Sequence, residues 1–190
     1  MVAGAGRLVS ASRLCSDGLV PLQANATRLW KSLTPDERLR ATSAFCAEPP
    51  PELSGSAIAA LVKARHLRPQ AARTLAPDAQ ARILATVLDP GEPLAQGLLV
   101  SLHLAERRPL LAAFLDALAL PHENGILTEE ADAAPPVDAA RASAARAALA
   151  AFPEHEVRTY LNTLWLQDPE RWHALEALYS EAPTATQSRG

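Results

Sequence analysis

Residues Pro93 to Arg107 read PLAQGLLVSLHLAER. Leu94, Leu98, Leu99, Val100, Leu102 and Leu104 put apolar side chains almost all the way round a helix of this span. A surface helix keeps one polar face, so a helix apolar on every side belongs at the centre of a bundle. The run is interrupted by Gln96 and His103. It is also shorter than the roughly 20 apolar residues that cross a bilayer, so no membrane insertion is expected.

The composition supports the same reading. The chain has 190 residues, among them 40 alanines and 30 leucines, while aromatic residues make up only 4%. Alanine and leucine are the best helix formers. An all-β sandwich would want β-branched and aromatic side chains instead. The 8 glycines and 16 prolines exclude collagen and glycine-rich linkers. A chain of this length can bury about 70% of its unfolded surface, enough for one good core.

Working outward, helical spacing recurs. Leu22, Ala26, Leu29, Trp30 and Leu33 share one face. Thr34-Pro35-Asp36-Glu37 then opens a second helix, with an N-cap threonine, proline at the first position and acids in the first turn. It ends before Pro49-Pro50-Pro51, and Ser56 is the expected N-cap of the next helix, Ala57 to Leu67. Pro69 and Pro77 open two more, the second with Ile83, Leu84, Val87 and Leu88 as its apolar face. Beyond the central helix, Pro109 leads into one that buries Leu110, Leu111, Phe114, Leu115 and Leu118. The one long loop, 121–136, reads PHENGILTEEADAAPP. Val137 to Phe152 is an alanine helix, Pro153 starts an amphipathic one through Trp165, and Asp168-Pro169 starts the last, burying Trp172, Leu175 and Tyr179. Trp30, Phe45, Phe114, Tyr160, Trp165 and Trp172 are the expected core anchors.

Three helices open alike: Pro35-Asp-Glu-Arg-Leu39-Arg40, Pro77-Asp-Ala-Gln-Ala81-Arg82 and Pro153-Glu-His-Glu-Val157-Arg158. Their separations of 42 and 76 residues, the latter twice 38, are near the period of HEAT and armadillo hairpins. The expected fold is all-α, a multi-helix bundle of short antiparallel helices, with HEAT-like helical hairpins as the alternative. Residues 1–20 are expected to be a flexible N-terminal segment and 21–181 one helical domain, with loop 121–136 separating two helical halves. Residues 182–190 read as a disordered tail.

Net charge is -3, without the basic footprint of a nucleic-acid binder. All basic residues but Lys31 and Lys63 are arginine. Cys15 and Cys46 have no CxxC partner, which fits a reducing, cytoplasmic compartment. Arg7, Arg13 and several serines before Asp17 raise organellar import as the alternative.

Candidate chemistry is sparse. His103 and Glu106 lie one turn apart, and a buried histidine beside a carboxylate suits proton transfer or metal binding. The plainer reading is a core histidine with one hydrogen-bond partner. Arg107 and Arg108 follow, either a solvated helix end or a patch for an acidic partner. In the loop, His122-Glu123-Asn124-Gly125 holds an Asn-Gly pair that makes a tight turn at positive φ, with Ile126 and Leu127 as an apolar pin to the core. Long loops in compact domains often carry function. Glu170 and His173 form a Glu-x-x-His, the spacing used by di-iron bundles, yet those sites need a second such motif, which is missing. Walker, Gly-x-Gly-x-x-Gly, Gly-x-Ser-x-Gly and His-Glu-x-x-His motifs are all absent.

No cofactor and no resident metal are expected. Metal candidates, should any form, are His103, Glu106, His122, Glu123, Glu170 and His173. Partner-binding candidates are Arg107, Arg108, His122, Glu123 and Asn124. The expected function is that of a helical protein-interaction or scaffold module whose partner is another protein, with homo-oligomerisation as one form. The alternative is a small metal-binding or histidine–carboxylate enzyme using His103, His122 or His173.

Overall fold

The computed structural model describes residues 25–134 and 137–173. The expectations for the N-terminal segment, Cys15, Leu175, Tyr179 and the tail lie outside those residues. Within them the fold is all-α and multi-helix. Its helices are α1 (Ala26–Ser32), α2 (Pro35–Ala47), α3 (Pro51–Arg65), α4 (Pro69–Arg73), α5 (Pro77–Thr86), α6 (Glu92–Glu106), α7 (Arg108–Ala117), α8 (Ala139–Leu149) and α9 (Glu154–Gln167). Between α7 and α8 the chain makes a two-residue ribbon, β1 (His122–Glu123) paired antiparallel with β2 (Ile126–Leu127), then a 3-10 turn over Glu129–Ala133.

Proline sets the starts. It occupies the first turn of α2 to α7, where its missing N–H costs nothing and its fixed φ suits the helix. This corrects one boundary: α3 begins at Pro51, not after Ser56, because the last of the three prolines initiates instead of stopping. Ser54 then sits inside the helix, its hydroxyl donating to the Pro50 carbonyl at 3.2 Å. Helix α2 has the expected cap in full. Glu37 N–H donates to Thr34 Oγ1 at 3.2 Å, and Thr34 N–H donates back to Glu37 Oε2 at 2.9 Å.

Helix α2 packs mainly on α5 and α6, α1 on α6, and α7 on α8. HEAT-like stacking is not shown by this packing. Helix α6 is central as its composition requires, with Leu94, Ala95, Leu98, Leu99 and Leu102 fully buried. Two tertiary polar contacts tie α1 down. The Glu92 carboxylate of α6 accepts the first free N–H groups of α1, from Ala26 at 2.8 Å and Thr27 at 3.3 Å. The Trp30 indole N–H donates to the Val87 carbonyl at 2.8 Å, so the tryptophan is buried without an orphaned donor.

The core has two parts. One gathers α1 to α6 around Trp30, Phe45, Leu61 and Leu84. The other gathers α7, α8 and α9 around Phe114, Tyr160, Leu161 and Trp172. The division between these clusters falls at the α6–α7 elbow near Arg107, ahead of loop 121–136. Helix α7, before that loop, joins the helices after it. The reason lies in α8, whose buried Ala142, Ala145 and Leu149 form the face that packs against α7. Five of the six aromatic anchors are buried, and Trp165 is partly so. No helix among the described residues is long and apolar enough to cross a membrane.

Candidate functional site

Helix α6 delivers His103 to the junction of the two clusters. Its side chain is buried, and its ring meets Tyr160 edge-on at 5.4 Å between centroids. On α9, the Thr163 hydroxyl donates to the Thr159 carbonyl at 2.8 Å, the usual fate of a threonine inside a helix. That leaves Thr163 Oγ1 to accept from His103 Nε2 at 3.1 Å, which assigns the Nε2–H tautomer. Nδ1 is then a bare acceptor, sealed and without a partner. Burial, helped by the Arg107 guanidinium one turn on, pushes the imidazole down to a pKa of about 3. His103 is therefore neutral at physiological pH.

Glu106 does not join it. That carboxylate is half exposed and pairs with Arg40 at 3.5 Å. The histidine–carboxylate pair allowed by the one-turn spacing is thus not made, because the two side chains leave α6 on different sides.

Arg107 differs most from a solvated helix end. The elbow between α6 and α7 turns its side chain inward, leaving it 3% exposed. It donates to Glu37 Oε1 at 2.7 Å and lies 3.9 Å from Glu156, bracing α2 and α9 across the elbow. His155 approaches Glu37 at 3.9 Å from the solvent side. For Glu37, burial pulls the pKa up. The Thr34 N–H and hydroxyl, then the charges of Arg107 and His155, outweigh it and hold the carboxyl below its ordinary range. Arg107 Nη1 keeps no partner. A buried pair of this kind gives little net stability, but deleting one member strands the other and costs about 3–5 kcal/mol. Glu37 was legible only as a first-turn acid; nothing in the sequence signals its partner 70 residues away.

The loop candidates are largely occupied with holding the ribbon onto α7. Asn124 (φ 48°) and Gly125 (φ 82°) form the tight turn that their sequence announces. The His122 Nδ1 accepts the Gly125 N–H at 3.2 Å, so its Nε2 is the donor to Asp116, at 3.1 Å. Arg108 donates to the Asn124 carbonyl at 3.0 Å and to the Leu104 carbonyl at 2.6 Å. Glu123 is exposed, as is Ile126, while Leu127 pins the ribbon to the second cluster.

The Glu-x-x-His motif falls on a turn after α9. Glu170 and His173 are both exposed, and Trp172 takes the buried position between them. Arg171 anchors this turn to the 3-10 segment, donating to Asp132 and to the Ala131 carbonyl, each at 2.9 Å. Among the described residues no group of three or more His, Cys, Asp or Glu side chains could hold a metal ion. Cys46 is buried and free, its thiol pushed up to about 11 by burial, so it is not a nucleophile at neutral pH.

The concavities among the described residues include one beside His103 and one along α3. A cavity of about 250 Å³ lies between α6, α7, the ribbon and α9, with His103, Tyr160 and Thr163 on its wall. A groove of about 750 Å³ runs between α3 and the α5–α6 connection. Its side is made of Ala59, Ala60 and Ala64, with Lys63 and Asp89 at its edges. Leu88, half exposed, follows groove-lining Val87. Sequence reading missed Tyr160 and Thr163 as site residues, since both look like packing positions of α9. Comparison with protein-family models, with curated proteins and with solved structures finds no match to this chain.

Proposed function

We propose that this chain is a helical interaction module that docks a segment of another protein. The observation that carries the reading is the groove between α3 and the α5–α6 connection. At about 750 Å³ it is roomy, and its alanine side gives a partner's side chains space to enter. Leu88 offers an exposed apolar contact beside it, and Lys63 and Asp89 supply one charge of each sign to orient a partner. The histidines offer less to catalysis. His103 is neutral and lacks a carboxylate, and His122 holds a turn. A free, buried Cys46 fits a reducing compartment such as the cytoplasm.

Ala59 is exposed on α3, so Ala59→Trp fills the groove without touching the core. Purification of the full chain from its own cells would identify a stoichiometric partner. That partner should be lost from Ala59→Trp and kept by Ala144→Trp, a matched change on exposed α8 surface. Equal retention by both variants would exclude the groove as the docking site.

A further inference from the structure

The peptide unit that joins Asn124 to Gly125 is held at both of its polar atoms. Its carbonyl oxygen accepts from the Arg108 guanidinium at 3.0 Å. Its N–H, on Gly125, donates to His122 Nδ1 at 3.2 Å. The other imidazole nitrogen, Nε2, meets the Asp116 carboxylate at 3.1 Å, which fixes the tautomer and leaves the Nδ1 lone pair for the amide. A tight Asn-Gly turn needs only positive φ at its two residues, so these side-chain bonds go beyond what the turn requires. Carboxylate, imidazole, then the group to be deprotonated is the order in which an activated nucleophile is built. Here the last member is a backbone nitrogen. An amide that loses its proton carries the charge on its oxygen, through the same resonance that keeps it planar, and Arg108 sits at that oxygen.

We propose that Asn124 and Gly125 form a self-modification site, at which the Gly125 nitrogen attacks the Asn124 carboxamide. His122 Nδ1 takes the amide proton, at a distance within reach of a general base, and Arg108 holds the charge left on the Asn124 carbonyl oxygen. The nitrogen forms a bond to Cγ of Asn124 and closes a five-membered imide. The bond from Cγ to the carboxamide nitrogen breaks, and that nitrogen leaves as ammonia with the proton that His122 held. Water then opens the imide at either carbonyl, giving aspartate or isoaspartate. The sum is asparagine and water to acid and ammonia, with nothing oxidised or reduced. Gly125 has no side chain to obstruct the attack. Asn124 is exposed, so water can reach the imide and ammonia can leave. Isoaspartate lengthens the main chain by one methylene where there is no slack, since a Cβ at Gly125 would already lie 2.7 Å from Leu111 Cβ. Conversion to isoaspartate therefore releases the ribbon from α7.

The experiment is incubation of the full chain at neutral pH, in buffer and in parallel in unfolding urea, with imide and isoaspartate at position 124 followed by mass spectrometry. The unfolded chain keeps the Asn-Gly pair but loses the base and the guanidinium. The native chain should therefore convert about tenfold faster, which is what remains of the roughly 100-fold of a positioned base once the turn's restraint on Asn124 is set against it. His122→Gln should remove that advantage, as should Arg108→Gln, each with native helix content by circular dichroism. A native chain that converts no faster than the unfolded one would overturn the proposal without recourse to any variant. So would an unchanged rate in folded His122→Gln.

Discussion

Single residues at the α6–α7 elbow do work that their positions in the sequence conceal. His103 on α6 and Arg107 just beyond its end lie one turn apart, and both are buried. The imidazole is held neutral by burial, the guanidinium by contrast stays charged opposite Glu37. This has a consequence for pH. The unfolded chain takes a proton on His103 below its ordinary pKa of 6.5, whereas the folded chain refuses it down to about 3. The contribution of His103 to stability is complete above pH 6.5 and is lost as the pH falls from there toward 3. Over that window the loss approaches about 1.4 kcal/mol per pH unit, one proton's worth. Urea unfolding at pH 7, 6, 5 and 4 should show the gap between wild type and His103→Gln narrowing at about that rate. A gap independent of pH would mean that the imidazole is solvated in the fold. Glu37 acts in the same direction at lower pH, since its depressed pKa makes acid release its pair with Arg107 below about 4.5.

At the scale of elements, punctuation and packing divide the labour. Prolines and one capping box place the helix starts from local chemistry alone, which is why α2, α4 and α5 begin where their sequences say. Helix α3 starts earlier than Ser56 suggests because Pro51 initiates it, and Ser54 stays inside the helix by donating its hydroxyl to the Pro50 carbonyl. The ribbon after α7 depends on a fit instead. A Cβ at Gly125 would sit 2.7 Å from Leu111 Cβ and 3.3 Å from both the Ala112 nitrogen and the Arg108 carbonyl oxygen. Its φ of 82° also disfavours any side chain. Gly125→Ala should therefore cost about 2 kcal/mol, seen as a lower denaturation midpoint. An unchanged midpoint would show that the ribbon is not pressed onto α7. The Asn-Gly pair advertised the turn, but neither residue advertised Leu111 as the surface beneath it.

For the whole molecule, two hydrophobic clusters meet at α6 and Arg107. Phe114, fully buried, meets Tyr160 in a T-shaped contact at 5.4 Å and Trp172 at a tilt at 5.8 Å, and so centres the second cluster. Truncating Phe114 to alanine should cost about 4 kcal/mol. Hydrogen exchange should then find the loss of protection concentrated in α7, α8 and α9, with α2 and α5 retaining theirs. Uniform loss would show that the clusters open together. The sequence by itself determined the class of the fold and most helix starts. Alanine, leucine and proline act through local backbone preference, and helical periodicity marks which faces are buried. It also identified the Asn-Gly turn and the aromatic anchors, whose size leaves them few places but the core. Tertiary structure alone decided which side chains meet. His103 finds Thr163 across 60 residues, Arg107 finds Glu37 across 70, and Glu106 turns outward although it is the nearer carboxylate in sequence. The physical reason is that helix propensity and periodicity act over a few residues. Pairing across the bundle depends instead on how whole helices cross, and a short elbow sets that crossing.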